Sequence, residues 1–547
     1  MNMYRSFCQE SFDAQGNLTD FSLTYPTNFN FAYDVVDAMA EQAPNQTALV
    51  WCNAQGLERT FTFSDLRRLS NQAANALRAH GISKGDTVLV MLKRHYEYWF
   101  VALALHKLGA VMAPVTHMLT VSDLVYRVAA GNISAAICTN EEEAPQRFLE
   151  AKETSALRTV FTIRENIPGC VNLSAELDVA SPLLSRVDTA VTDPLLTYFT
   201  SGTTGQPKGV IHDHSYPLAH IVTAKYWHQA IDGGLHFTVA ESGWAKSSWG
   251  KLYGQWLVGS AVMVYDFDSF DPRQLIQVIQ RYGVTTFCAP PTIYRYLIKT
   301  GLSSMPSLQH VTTAGEALNP EVYTRFREVT GLSIQEGYGQ TETTPLIAHL
   351  PWVAPRPGSM GKPTPLYRVA LQNPDGSETP EGEVGEIVIL PDANGRRPVG
   401  IFCAYCGNEE LYQNAWRGGV YHTGDTAWRD ADGYYWFNGR SDDIIKTGGY
   451  RVGPFEIENV LMEHPAVLEC SVIGIPDPLR GQAIKAFVHL APGFEASSEL
   501  KKEIKVFCNE HSSEYKWIRH IDFVEEMPKT ISGKIKKRDL REWDAIH

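Results

Sequence analysis

The sequence predicts an α/β protein: a large N-terminal domain of parallel sheets covered by helices plus a β-rich subdomain, followed by a small mobile α+β C-terminal domain. Three observations predict it. Short apolar runs alternate with amphipathic segments up to about residue 430, as expected of parallel strands joined by covering helices. After Gly358 the composition changes to Gly, Pro and alternating apolar residues. At 547 residues the chain is also far longer than one hydrophobic core sustains.

The elements follow in order. Ser64 is the expected N-cap of a helix whose Leu66, Leu69, Ala73 and Leu77 recur at helical spacing. Residues 86–92 (D-T-V-L-V-M-L) read as a buried strand, 96–108 as a helix, and 110–114 and 134–139 as strands. The apolar run 98–115 is interrupted by His106 and Lys107, so it reads as a core helix and a strand, not a membrane span. A second cycle gives helix 214–228, strand 260–265, helix 275–282 and strand 285–288. In the β-rich part, 384–390 (V-G-E-I-V-I-L) is the clearest strand. The aromatic strand 434–437 then leads into the polar segment G-R-S-D-D-I-I-K at 439–446. That segment sets the boundary: residues 1–439 form the first domain, with its β-rich subdomain at about 358–439, and 440–547 form the second. Within the second, helix 454–464, strands 467–475 and 483–490, helix 498–511 and strand 521–524 are expected, and two mobile parts imply a cleft.

Composition excludes several classes of function. Apolar residues make up 44% and charged residues 20%, ordinary globular values. The opening M-N-M-Y-R-S-F-C-Q-E has no apolar core of a signal peptide, so a soluble cytoplasmic protein with no integral membrane segment is expected. The nine cysteines are scattered, which favours free thiols in a reducing compartment. Cys403 and Cys406 form one C-x-x-C, without further ligands at zinc-site spacing, and read as two partly buried small residues. A formal charge of −13 opposes nucleic-acid binding. The chain end is locally basic, with Lys529, Lys534, Lys536, Lys537, Arg538 and Arg541; this reads either as a solvated charge run or as cations serving an anionic small molecule.

Four short blocks carry the chemistry: T-S-G-T-T-G-Q-P-K-G at 200–209, G-Y-G-Q-T-E at 337–342, Y-H-T-G-D at 421–425 and P-K-T-I-S-G-K at 528–534. The first suits polyphosphate, because glycines permit close backbone approach, hydroxyls donate to phosphate oxygens and one lysine balances charge. It is not a Walker A loop, which needs Gly-Lys followed by Ser or Thr, since Lys208 stands between Pro207 and Gly209. Taken singly, each block has a plain reading. Thr341 can cap a helix and Glu342 can be a first-turn carboxylate; Asp425 can be a turn aspartate and Lys534 a solvated lysine.

Together, in this order, the blocks resemble the adenylate-forming superfamily, which comprises acyl-CoA synthetases, peptide-synthetase adenylation domains and firefly luciferase. Most of all the chain resembles the AMP-forming short- and medium-chain acyl-CoA synthetases, from about Phe31 to Arg541. The resemblance implies that Thr200, Ser201, Gly202, Thr203, Thr204, Gly205 and Lys208 hold the β- and γ-phosphates of ATP. It implies that Thr341 bonds the α-phosphate and Glu342 holds Mg²⁺, which usually takes one or two carboxylates and fills its shell with phosphate oxygens and water. Tyr338 would face adenine, with Gly315, Glu316 and Ala317 as the opposite wall. Asp425 would accept from both ribose hydroxyls, with Arg440 beside the same ribose and Asp442 as the hinge of a rotating C-terminal domain. Lys534 would bridge the carboxylate substrate and the α-phosphate, placing positive charge between two anions. Gly448 and Gly449, in K-T-G-G-Y-R-V-G-P-F, would leave room for the pantetheine arm of CoA, and Arg480 would contact a CoA phosphate.

For the acid, Trp244 in E-S-G-W-A-K-S-S-W-G matches the family's acid-binding helix entry, although core packing explains a tryptophan equally well. Acetate-specific relatives carry Trp where this chain has Gly339. A glycine opens that floor to a longer chain or an aryl acid, unless Trp249, Tyr253 or Trp256 refills it. The implied reaction forms acyl-AMP and pyrophosphate, then transfers the acyl group to CoA. ATP, CoA and a carboxylic acid are the expected partners, and homo-oligomerisation is left open. Two alternatives remain: a freestanding enzyme that loads an acid onto a carrier protein, and a non-catalytic nucleotide sensor, which retention of Lys534 and Glu342 disfavours.

Overall fold

Two parallel-centred sheets dominate the first part of the chain. In the computed structural model, which describes residues 2–201, 206–302, 304–316, 318–530 and 534–546, the chain divides into two compact units. One comprises Met1–Pro357, Gly361–Arg368 and Pro391–Ala415; the other comprises Gly358–Met360, Val369–Leu390 and Trp416–His547.

In the first unit, an eight-stranded sheet runs in the order Ala404–Tyr405, Pro207–Asp213, Pro194–Ser201, Val111–Pro114, Thr87–Met91, Ile133–Cys138, Thr159–Thr162, Val171–Asn172. It is parallel except at one edge, where Pro194–Ser201 and Pro207–Asp213 form an antiparallel hairpin and Ala404–Tyr405 pairs antiparallel with the hairpin's second strand. A nine-stranded sheet is parallel from Ile334–Tyr338 through His310–Thr313, Thr286–Cys288, Leu235–Thr238 and Ala261–Asp266 to Thr47–Asn53, with antiparallel pairs at both edges. Central strands such as Thr87–Met91 and Ala261–Asp266 are buried almost throughout, as expected where helices cover both faces.

The first long helix, Phe63–Ala79, corrects the expected cap. Thr62, not Ser64, is the N-cap: its hydroxyl accepts from the Asp65 amide while the Asp65 carboxylate accepts from the Thr62 amide. That reciprocal box satisfies two end donors at once, which Ser64, two residues further on and already inside the helix, does not. Helix Glu97–Leu108 is buried along its whole length, His106 and Lys107 included. Lys107 is tolerated because its ammonium donates to Asp37 (2.7 Å), Ser70 (2.9 Å) and Asn71 (2.7 Å); burial still lowers its pKa to about 8. The helix expected over 214–228 forms as Tyr216–Val222 continued by a π turn, Thr223–Trp227.

The second unit holds most of a four-stranded sheet, Arg368–Gln372, Gly385–Leu390, Tyr421–Arg429 and Tyr435–Arg440, antiparallel from Gly385–Leu390 to Tyr435–Arg440, and a five-stranded sheet with Val467–Asp477 and Gly481–Leu490 as its long hairpin. His520–Phe523 adds to that hairpin in parallel, and helices Pro454–Met462 and Ser498–Glu510 pack an apolar core of Ile457, Leu461, Val472, Ile484, Ala486 and Ile504 against it. Among the described residues, no helix is long and apolar enough to cross a membrane.

Candidate active site

The two described ends of the motif at 200–209 lie on paired strands of the edge hairpin. Thr200 pairs with Lys208 and Ser201 with Pro207, so the hairpin delivers both arms of the loop to one end of the sheet. Gly202, Thr203, Thr204 and Gly205 lie outside the described residues, as does Ala317.

Lys208 is the best-defined member. Its ammonium lies 2.7 Å from Glu342 Oε1 and donates to the Tyr405 hydroxyl at 2.9 Å. That hydroxyl in turn donates to Glu342 Oε1 at 3.0 Å, and Lys208 Nζ stands 4.4 Å from the centroid of the Tyr405 ring. Glu342 is buried, 6% exposed. Burial pushes its pKa up, but Lys208 and the Tyr405 hydroxyl overcome that and the net shift is downward, so the carboxylate is ionised. The neighbouring Thr341 is held by its carbonyl, which accepts from His212 Nε2 at 2.8 Å; since a carbonyl can only accept, His212 carries its proton on Nε2. Burial drops His212 to about 4, so it is neutral at pH 7.

Tyr405 was not singled out from the sequence. It comes from the two-residue edge strand, where Val210 pairs with Tyr405 and Ile211 with Ala404. The C-x-x-C flanks it: Cys403 N donates to Ile211 O and Cys406 N to Gly209 O, both at 2.8 Å. A Cβ on Gly209 would stand 2.6 Å from Cys406 Sγ, so the close approach of this strand requires glycine there. The signal in the sequence was the C-A-Y-C segment itself, read only for its thiols.

Tyr338 ends the strand Ile334–Tyr338, and its carbonyl accepts from Leu346 N at 2.8 Å. Glu336 lies two residues earlier on the same face. It is buried with one carboxylate oxygen unpartnered, and burial lifts its pKa to about 8. Thr313, its register partner on the next strand, likewise has a buried hydroxyl without a partner. On the opposite face, a Cβ on Gly337 would meet the Trp227 ring at 2.6 Å, and one on Gly339 would meet Trp249 Cη2 and the Thr344 carbonyl, each at 2.7 Å. The two indoles are edge-to-face at 5.9 Å. Trp249 therefore fills the space that Gly339 opens. Gly315 and Glu316 follow the strand His310–Thr313; Glu316 is exposed and accepts from the Thr292 hydroxyl at 3.0 Å. The Lys246 ammonium donates to the Ala314 carbonyl. Trp244 is half-buried in the turn before helix Lys246–Gly250, its amide donating to Glu241 O at 3.2 Å.

The remaining expected residues lie in the second unit, where several are neighbours. Asp425 and Arg440 are register partners on adjacent antiparallel strands. Asp425 is buried, while Arg440 reaches it at 3.9 Å and donates to Asp442 at 3.0 Å. Gly448 and Gly449 form the two-residue turn between Ile445–Thr447 and Tyr450–Val452, with φ of +56° and +84°. Two positive φ values in a two-residue hairpin are the conformation glycine takes at least cost. Gly448 N donates to the Arg480 carbonyl at 2.9 Å, so the three residues expected to serve CoA are adjacent. Lys534 is exposed: its amide donates to the Thr530 hydroxyl at 3.1 Å, its carbonyl accepts from Thr530 N at 2.7 Å, and Lys529 pairs with Ile535 in an isolated antiparallel bridge. All nine cysteines are free, and among the described residues no cluster of three His, Cys, Asp or Glu could hold a metal.

Comparison with known proteins adds to this geometry. The model of the AMP-binding enzyme family matches residues 36–393, and that of the AMP-binding enzyme C-terminal domain matches 456–534. The mitochondrial acyl-coenzyme A synthetase ACSM3 of Rattus norvegicus is 37% identical over 557 aligned positions, covering 99% of this chain and 95% of its own. The 4-hydroxybutyrate–CoA ligase 1 of Metallosphaera sedula is 40% identical, covering 94% of this chain and 90% of its own. A crystal structure of an anthranilate CoA ligase in complex with anthranoyl-AMP superposes with a TM-score of 0.86 at 29% identity, covering 95% and 98% of the two chains.

Proposed function

The chain belongs to the AMP-binding enzyme family, and from that premise we propose that it is an AMP-forming acid–CoA ligase acting on a medium-chain or aryl acid. The observation that carries the reading is the Lys208–Glu342–Tyr405 cluster beside the phosphate hairpin. It sets a cation for phosphate and an ionised, buried carboxylate side by side.

Glu342 suits Mg²⁺ on the chemistry of its donor: a single ionised carboxylate, with phosphate oxygens and water to complete the shell. Bound there with ATP, Mg²⁺ would neutralise phosphate charge. The chain's own groups do the rest. Lys208, with Thr200, Ser201 and the loop between, receives the departing pyrophosphate. Thr341, fixed through its carbonyl by His212, presents its hydroxyl to the α-phosphate. Asp425 takes the ribose hydroxyls, with Arg440 alongside. The acid carboxylate attacks the α-phosphorus, the bond to pyrophosphate breaks, and Lys534 stabilises the charge that accumulates. Residues from Arg440 onward then turn about Asp442, withdrawing Lys534 and presenting Gly448, Gly449 and Arg480 to CoA. The CoA thiolate attacks the acyl carbonyl, AMP leaves and the thioester is released. Rotation of this kind lets one pocket present different groups to two reactions.

The acid size follows the relatives that use 4-hydroxybutyrate and anthranilate. With Trp249 against Gly339, the floor is set by an indole edge donated from helix Lys246–Gly250. The nine free thiols suit a reducing compartment, the cytoplasm in our reading, although the ACSM3 relative is named as mitochondrial. Pyrophosphate and AMP release over acids from acetate to octanoate plus benzoate, with and without CoA, tests the proposal. CoA-dependent turnover peaking beyond acetate is expected. Adenylate formation indifferent to CoA would replace the acceptor with a carrier protein, and silence on every acid would sink the reading.

A further inference from the structure

Three side chains from distant parts of the first unit converge on one oxygen. Lys208 comes from the hairpin, Glu342 from the loop after Ile334–Tyr338, and Tyr405 from the edge strand. Lys208 Nζ and the Tyr405 hydroxyl both donate to Glu342 Oε1, and Nζ also donates to that hydroxyl. This arrangement sets two demands against each other. The function proposed above asks Lys208 to serve phosphate and Glu342 to serve a divalent cation, yet here each neutralises the other. A carboxylate oxygen held by an ammonium is a poor ligand for a second cation, because the two positive charges compete for it. If Lys208 leaves, a buried carboxylate loses its counter-charge, and the group that remains on it is the phenol.

Tyr405 is well placed for that duty because it is anchored independently of its hydroxyl. Its strand is pinned to Pro207–Asp213 at Val210 and Ile211, Cys403 and Cys406 clamp its ends, and Phe402 N donates to the Glu342 carbonyl at 2.8 Å. The Tyr405 hydroxyl donates to Glu342 Oε1 at 3.0 Å. A phenol donates without bringing a charge, so it leaves the carboxylate's remaining lone pairs able to meet a metal.

We infer that Tyr405 is a positioning residue: it holds the Glu342 carboxylate while Lys208 exchanges that carboxylate for phosphate, so that a divalent cation is accepted with nucleotide and refused without it. The inference rests on the ATP-dependent reading above. It assigns Lys208 a second role as the masking group of the metal ligand.

Mn²⁺ binding to the full-length protein, followed by the resonance of free Mn²⁺, tests it without turnover. In the absence of nucleotide, Lys208→Met is expected to bind Mn²⁺ about tenfold more tightly than wild type, because removing the ammonium unmasks Glu342. With a saturating non-hydrolysable ATP analogue, Tyr405→Phe is expected to bind Mn²⁺ about tenfold more weakly. Its metal-free affinity for the analogue should not change, since the ring beneath Lys208 is kept. A purely structural tyrosine would lower the thermal midpoint and leave metal affinity alone. Unchanged Mn²⁺ affinity in a folded Tyr405→Phe, or no gain in Lys208→Met, overturns the inference; should Tyr405→Phe fail to fold, the Lys208→Met result decides. Wild-type protein that binds Mn²⁺ with the analogue but releases no pyrophosphate with any acid would refute the ligase reading and leave this inference standing.

Discussion

The two units hold the two lysines of the proposed mechanism in opposite ways. Lys208 is tied to a buried carboxylate, a phenol hydroxyl and an aromatic face, on a strand paired on both sides. Lys534 stands exposed, its carbonyl accepting from Thr530 N and its amide donating to the Thr530 hydroxyl. The same residue type is thus built once into packing and once onto an exposed position tied to Thr530. A cation that keeps one address can share in the stability of its surroundings. A cation that, as proposed, arrives for one step and withdraws for the next gains nothing from strong local partners.

That contrast can be broken most sharply at Lys534. Lys534→Ala is expected to slow acyl-adenylate formation by about 100- to 1000-fold, the size of effect seen when one transition-state donor is lost. ATP binding should survive, and the unfolding free energy from urea titration should change by less than about 0.5 kcal/mol, as for an exposed side chain. Pyrophosphate release at the wild-type rate would remove Lys534 from the mechanism. Glu342→Gln should differ in kind, losing both activity and stability. It leaves Lys208 without its counter-charge in a half-buried position, a change costing about 2 kcal/mol. A variant as stable as wild type would mean that the pair contributes nothing to packing.

Trp249→Leu sharpens the comparison within the buried half, where packing and specificity coincide. Removing the indole edge from above Gly339 should raise kcat/KM for acids one or two carbons longer by about tenfold relative to the best wild-type acid, the discrimination a hydrophobic pocket supplies. An unaltered acid profile would place the pocket floor elsewhere.

The smallest effect concerns pH. Burial lowers His212, His214, His310 and His349 to about 4 and His236 to about 3, all in the first unit. Their unfolded value is near 6.5, so the unfolded chain binds more protons between about pH 6.5 and 4. Stability contributed by the neutral imidazoles is therefore present above about 6.5 and is lost as pH falls through that window. Glu336, raised to about 8, acts in the reverse sense as pH rises from about 4.5 to 8. Urea unfolding of the first unit measured from pH 7 to 4.5 should show a falling midpoint; a flat profile would mean that these histidines are hydrated.

Much of this was legible in the sequence. Strand 86–92, helix 96–108, strand 260–265 and strand 483–490 were placed within about two residues, because four to ten consecutive apolar or alternating positions leave few alternatives. The motif residues announced themselves through unusual local composition. What escaped depends on pairing across the chain. The capping of helix Phe63–Ala79 hinged on which of two hydroxyls, at Thr62 or Ser64, would find Asp65 returning its bond. Tyr405 touches Glu342 from 63 positions away, through a two-residue strand too short to show any periodicity. Gly339 read as an opening because glycine is small, but whether that space stays open is decided by Trp249, on a separate helix.

The brevity of Ala404–Tyr405 has one more consequence. It forms the outermost strand of its sheet, and it pairs through only Val210 and Ile211. A long, flat outer strand would invite a second molecule to add its own backbone and begin a chain of stacked copies. A rim of two residues offers almost no template. On the proposed reading, the segment that steadies the Glu342 carboxylate is also the one that leaves this border with little backbone to template a second copy.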